Sequence, residues 1–127
     1  MHKHQNFLRR RLASFRFAIQ GVAILFRTEF HAWIHLCATI AVIAAAVLFD
    51  LTTVEWAILF LAMGFVWTAE ALNTAVEITV DIVSPQYSEA AGKAKDVAAG
   101  SVLLASVAAA ASGFAVFCPY IWSWLAG

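Results

Sequence analysis

Between Leu8 and Phe26 the apolar residues Leu8, Leu12, Phe15, Ile19, Val22 and Phe26 recur at steps of four and three. At about 100° per residue they fall within one narrow helical stripe, and Arg9, Arg10, Arg16, Gln20 and Arg27 lie away from it. The pattern predicts an amphipathic helix over residues 6–28, lying in a bilayer surface with its arginines among anionic headgroups. Beyond it the pattern changes to long uncharged runs. Trp33 to Phe49 contains no Asp, Glu, Lys or Arg, and its length predicts a first membrane span over residues 31–49. Asp50, Leu51, Thr52 and Thr53 read as a tight polar turn. A second helix is predicted over residues 54–83, uncharged from Trp56 to Ala69 and ended by Ser84-Pro85. At about 1.5 Å per residue it is roughly 45 Å long, more than a hydrocarbon core of about 30 Å, so its last turns must leave the core or be enclosed by other helices. A polar connection over residues 84–96 leads to a third spanning helix over 94–118, whose uncharged run begins at Val97 and reaches about Phe117. Pro119 and the Trp122/Trp124 pair mark its far interface. Its alanines, serines and glycines permit close helix–helix contact.

Composition supports the same picture. Of 127 residues, 63% are hydrophobic and 13% charged, against about 45–50% and about 25% in ordinary globular chains. Eight basic and eight acidic residues are too few to coat a soluble domain of this size, and the apolar content excludes disorder. The expected class is therefore an all-α integral membrane protein, a helical bundle with one surface helix and three transmembrane helices. The apolar run lies too far from the N-terminus for a cleaved signal peptide. Cys37 and Cys118 fit no metal spacing or disulfide framework and read as small hydrophobes.

The zero net charge conceals a polarised layout. Lys3, Arg9, Arg10, Arg11, Arg16 and Arg27 precede every acid, and the other two cations, Lys93 and Lys95, lie in the 84–96 connection. The positive-inside rule then predicts a cytoplasmic N-terminus and second loop, with the C-terminus outside.

Acids inside a span are costly and point to function. Glu70, Asn73, Glu77 and Asp81 are spaced three, four and four, which places them within an arc of about 80° on a helix. Three carboxylates in one stripe repel and resist burial unless a cation sits between them, and hard oxygen ligands of this kind suit Mg²⁺ carrying substrate phosphates. For Asp81 a plain solvated helix end explains the charge as well. Glu70 follows Trp67 at about 24 Å from Val54, where surface charge alone does not explain a carboxyl group. Glu29 sits where the basic helix meets the first span, at the expected depth of Glu77, so the two could share a metal; Lys95 and Asp96 arrive at the same level.

The run Glu70-Ala-Leu-Asn73-Thr-Ala-Val-Glu77-Ile-Thr-Val-Asp81, then Ser84-Pro-Gln-Tyr87 and Ala94-Lys95-Asp96-Val-Ala-Ala-Gly100, resembles the signature of the prokaryotic diacylglycerol kinase and undecaprenol kinase family. The resemblance extends back through Gly21 and Glu29 and in organisation covers almost the whole chain. No phosphate-binding Gly-x-x-x-x-Gly-Lys-Ser/Thr loop is present, as that family leads one to expect. The resemblance implies a single lipid kinase domain over residues 1–127, in a homotrimer whose active sites are shared between neighbours in a bacterial inner membrane. It implies that Glu70 is the general base on the lipid hydroxyl and that Glu29 and Glu77 bind the Mg²⁺ that carries ATP. Asn73 supports the site, with Asp81 beside it. Lys95 meets phosphate and Asp96 the sugar or a bridging partner. Arg10 and the loop Gln86-Tyr87-Ser88 match ATP contacts by position. The partners implied are MgATP, a membrane lipid, anionic headgroups and further copies of the chain, with no nucleic acid.

His31 and His35, at i and i+4, could hold a transition metal, but no third ligand apart from Glu29 is evident, and interfacial hydrogen bonding is the preferred reading. Ile34-His35 resembles a pair found in undecaprenol kinases, whereas Trp33 departs from the arginine that often precedes it, so the acceptor stays open between diacylglycerol and undecaprenol. Trp33 and Trp56 read as interface anchors. The rivals are a small cation channel or carrier, which requires acids across the whole bilayer, and a membrane scaffold, which leaves the Glu70 stripe without a cause.

Overall fold

A computed structural model describes the backbone of residues 2–86 and 88–127 and the side chains of residues 13–86 and 88–127. The chain is all-helical: α1 (His2–Thr28), α2 (Phe30–Leu48), α3 (Thr53–Val83) and α4 (Glu89–Ala126). The last three are long and apolar enough to cross a membrane. Most of their large hydrophobic side chains, such as Phe60, Phe65, Leu103, Leu104 and Phe114, are exposed on the single chain, as lipid or neighbouring helices require.

The α2–α3 connection is a hydrogen-bonded lock. Asp50 has φ 51°, a left-handed conformation that Asp tolerates. This lets Asp50 N–H donate to Val47 O at 3.3 Å and Leu51 N–H to Ala46 O at 3.2 Å, the two bonds of a Schellman stop. Leu51 then packs with Ala46, Leu59 and Val116 in the buried cluster between α2, α3 and α4. Thr52 caps α3 immediately afterwards. Its hydroxyl accepts from Glu55 N–H at 3.4 Å, and Glu55 Oε2 accepts from Thr52 N–H at 2.8 Å, a reciprocal capping box. Tyr120 Oη donates to the same Glu55 oxygen at 2.7 Å and ties α4 to the turn.

Packing is closest between α3 and α4, where Val66 and Ala69 meet Ala105, with Val102 and Ala109 alongside. Small side chains on α4 bring the two backbones close enough for this. α2 lies more loosely against α3, and α1 contacts both α2 and α3. Among the described α1 side chains only Leu25 is buried; Phe15, Ile19 and Val22 of the amphipathic stripe are exposed.

α4 departs most from expectation. It begins at Glu89 rather than 94, because Ser88 accepts a hydrogen bond from Ala91 N–H at 3.1 Å and so caps the helix. It also continues through Pro119 to Ala126. Proline removes one helical donor, but membrane-spanning helices tolerate it because neighbouring groups satisfy the freed carbonyl.

Candidate active site

At the opposite end of the bundle from the Asp50 turn, one non-helical residue separates α1 from α2. Glu29 has φ −110° and ψ 115°. Its N–H still donates to Leu25 O at 2.9 Å and completes the α1 ladder, while Trp33 Nε1 donates to Phe26 O at 3.1 Å and satisfies one of α1's terminal carbonyls. In an unbroken helix, residues two apart face different ways. The extended backbone at Glu29 removes that restriction, and ligand atoms of Glu29, His31 and Glu70 all lie within 4.8 Å of one another.

The predicted stripe on α3 is present but graded. Glu70 is 2% exposed and Asn73 7%, Glu77 is half-buried and Asp81 exposed. Among the described residues the Glu70 carboxylate receives no hydrogen bond; its nearest charged or chargeable partner is His35, whose Nε2 stands 3.6 Å from Oε2. Asn73 Nδ2 donates to Glu77 Oε1 at 2.8 Å and so orients it. The buried Asn73 Oδ1 has no partner among the described residues. Thr74 is spent within the helix, its hydroxyl donating to Glu70 O at 3.1 Å. Burial raises the Glu29 pKa above the ordinary carboxylate value, and the charges of Glu77 and Glu70 raise it further; His31 and a hydrogen bond from Thr28 oppose the shift. Glu29, Glu70 and Glu77 are therefore electrostatic neighbours.

Other candidates lie further out. Asp81 is paired with Lys95, Nζ to Oδ1 at 2.5 Å, so these two residues join the end of α3 to the start of α4. Asp96 is exposed. Gln86 is exposed, its carbonyl accepting from Ser84 Oγ at 3.0 Å, and the Ser88 hydroxyl is engaged as the α4 cap. The side chain of Arg10, and Tyr87, lie outside the described residues. Two neighbours of these carboxylates were not fully legible from spacing. Spacing pairs His31 with His35 and offers Glu29 as a possible third ligand, whereas in space His31 lies with Glu29 and Glu70. Trp67 forms the wall behind them: Nε1 donates to Thr39 Oγ1 at 3.1 Å, and its ring packs at 5.5 Å from Phe26 and 6.3 Å from His35.

His35 also stands at one end of an apolar cavity of about 390 Å³ between α2, α3 and α4, lined among others by Thr39, Leu59, Met63, Gly113 and Phe114. A buried carboxylate short of donors thus lies next to the polar end of an apolar cleft, with two more carboxylates on its outer side. Such an arrangement can take a proton from an alcohol whose hydrocarbon tail stays in the bilayer and hold a cation against an incoming polyphosphate.

Comparison with known proteins agrees with that chemistry. Residues 16–117 match the model of the prokaryotic diacylglycerol kinases. The chain is 38% identical over 116 residues to the undecaprenol kinase of Bacillus subtilis, covering 91% of this chain and 94% of that protein. It is 44% identical over 109 residues to a diacylglycerol kinase of Synechocystis, covering 85% of this chain but 62% of that protein. It is 31% identical over 107 residues to the diacylglycerol kinase of Escherichia coli, covering 84% and 72%. With a family match over most of its length, the chain belongs to the prokaryotic diacylglycerol kinase family.

Proposed function

We propose that the protein, as one lipid kinase domain over residues 1–127, transfers the γ-phosphoryl group of ATP to the hydroxyl of a membrane lipid, diacylglycerol or undecaprenol. The observation that carries this reading is Glu70, a 2%-exposed carboxylate without a hydrogen-bond donor among the described residues, beside an apolar cleft and next to Glu29 and Glu77. Glu70 takes the proton of the lipid hydroxyl as its oxygen attacks the γ-phosphorus; ADP leaves, and the proton passes from Glu70 to water. His35, 3.6 Å away, helps orient the carboxylate. Asn73 holds Glu77 by its amide.

Three mutually repelling carboxylates and a spare Asn73 oxygen suit a hard divalent cation. Glu29 and Glu77 would hold Mg²⁺, which supplies neutralisation of phosphate charge when bound. Lys95 exchanges Asp81 for a phosphate oxygen, leaving Asp81 as site support. Asp96, Gln86, Ser88 and Arg10 lie on the nucleotide side. The cluster has its nucleotide side at the end of the bundle that the lysine and arginine distribution assigns to the cytoplasm, so ATP arrives from water and the lipid never leaves the membrane. α1 rests on that surface with its arginines among anionic headgroups, and three copies complete the pocket.

The test is phosphorylation of diacylglycerol and undecaprenol, separately, by purified protein in mixed micelles with Mg²⁺ and labelled ATP. Label in one or both lipids is expected, and the ratio assigns the acceptor; label in neither removes the kinase reading.

A further inference from the structure

The break at Glu29 has given this chain a ligand that the acidic stripe alone does not provide. We infer that Glu29, His31 and Glu70 form a transition-ion site, for Zn²⁺, Co²⁺ or Mn²⁺ in preference to Mg²⁺, whose filling inhibits the enzyme. The first half rests on geometry and ligand chemistry. The inhibition rests on the function proposed above, since the site takes the carboxylate that Mg²⁺ needs and the base that the lipid needs.

Ligand atoms from the three residues lie within 4.8 Å of one another. Tetrahedral bonds of about 2.0–2.2 Å to a common ion hold ligand atoms about 3.4 Å apart, so side-chain rotations that bring them together by roughly an ångström or more close the site. Glu29 is half-buried and His31 exposed, so neither is locked by packing. An imidazole with two carboxylates suits zinc and its neighbours, whereas Mg²⁺ takes oxygen ligands and sheds water reluctantly. Three protein ligands leave a fourth position for water.

A separate observation points to a ligand here. Glu70 is 2% exposed, and among the described residues its carboxylate has no hydrogen-bond donor, only His35 at 3.6 Å. A carboxylate buried in that state is costly and is relieved by a cation. Glu77 is already turned toward Asn73 and is not needed for this set. His35 approaches the Glu70 carboxylate as well, which makes it the natural control.

The experiment titrates Co²⁺ into full-length protein without ATP or lipid, following cobalt ligand-field absorption, and then displaces Co²⁺ with Zn²⁺ in excess Mg²⁺. One site per chain is expected, with His31→Ala weakening affinity roughly tenfold or more and His35→Ala close to wild type. In the Mg²⁺-dependent kinase assay, Zn²⁺ inhibits the wild type, while His31→Ala keeps its uninhibited rate and resists. Affinity unchanged by His31→Ala, in protein whose circular dichroism is native, overturns the site; so does a loss seen only with His35→Ala. Binding that depends on His31 in a protein that phosphorylates neither lipid leaves the site intact and removes the proposed function instead.

Discussion

The two ends of the helical bundle are built to opposite rules. At the Asp50 end the polar groups named above are matched: the Schellman bonds, the Thr52–Glu55 capping box and the Tyr120 hydroxyl close on one another. At the Glu29 end the polar groups outnumber their partners. Among the described residues Glu70 lacks a donor and Asn73 Oδ1 lacks a partner, and Glu29 is pushed toward its protonated form by burial and by like charge. A membrane bundle has little energy to spare for buried charge, so the satisfied end holds the connection together and the unsatisfied end is where the proposed ligands would bring the missing partners.

Substitutions at each end should separate these roles. Glu70→Gln keeps shape and removes the base, so turnover with either lipid should fall by about 10²–10⁴, while ATP binding measured by equilibrium dialysis stays near wild type; retained turnover would take Glu70 out of that role. At the far end, Thr52→Ala removes the cap hydroxyl and should cost about 1 kcal/mol of stability, read as a lower midpoint in denaturant, with the rate per folded molecule unchanged. A large rate loss there would mean that the two ends are coupled.

A subtler contrast is pH. The raised Glu29 pKa means that the folded state binds this proton more tightly than the unfolded chain. Stability from this group is therefore full below the ordinary carboxylate value and lost as pH rises through the raised one. Glu29→Gln should accordingly raise the thermal midpoint of metal-free protein at neutral pH and leave it unchanged in acid; an equal shift at both would show that repulsion is not the cause. Asp81→Asn should have the smallest effect on stability, about 0.2–1 kcal/mol, because its pair with Lys95 is largely exposed.

Much of this was visible in the order of residues. The uncharged runs required three long apolar helices, and the three-four-four spacing from Glu70 to Asp81 required one acidic face. The grading along that face, Glu70 deep and Asp81 at a solvated end, was visible in outline, but its extent, down to 2% exposure at Glu70, depends on where the other helices come to lie over α3. The bond between Glu55 and Tyr120 spans 65 residues, beyond the reach of any local pattern. Pro119 marks the far interface of the third span in the sequence, but nothing local there shows that α4 continues through it to Ala126. Helical spacing matches His31 to His35 along α2 and offers Glu29 as a possible third ligand, but it does not show that the break at Glu29 lets His31 reach Glu29 and Glu70 together.

That interruption makes Glu29 both a joint and a charge. Because a single pair of backbone dihedrals separates α1 from α2, alanine, a better helix former than glutamate, would favour fusing them into one continuous rod. The carboxyl group would disappear, and His31 would also swing away from α3. Removing the charge and straightening the corner are thus separable only with a side chain such as glutamine, which keeps the size of glutamate and alters nothing but its ionisation.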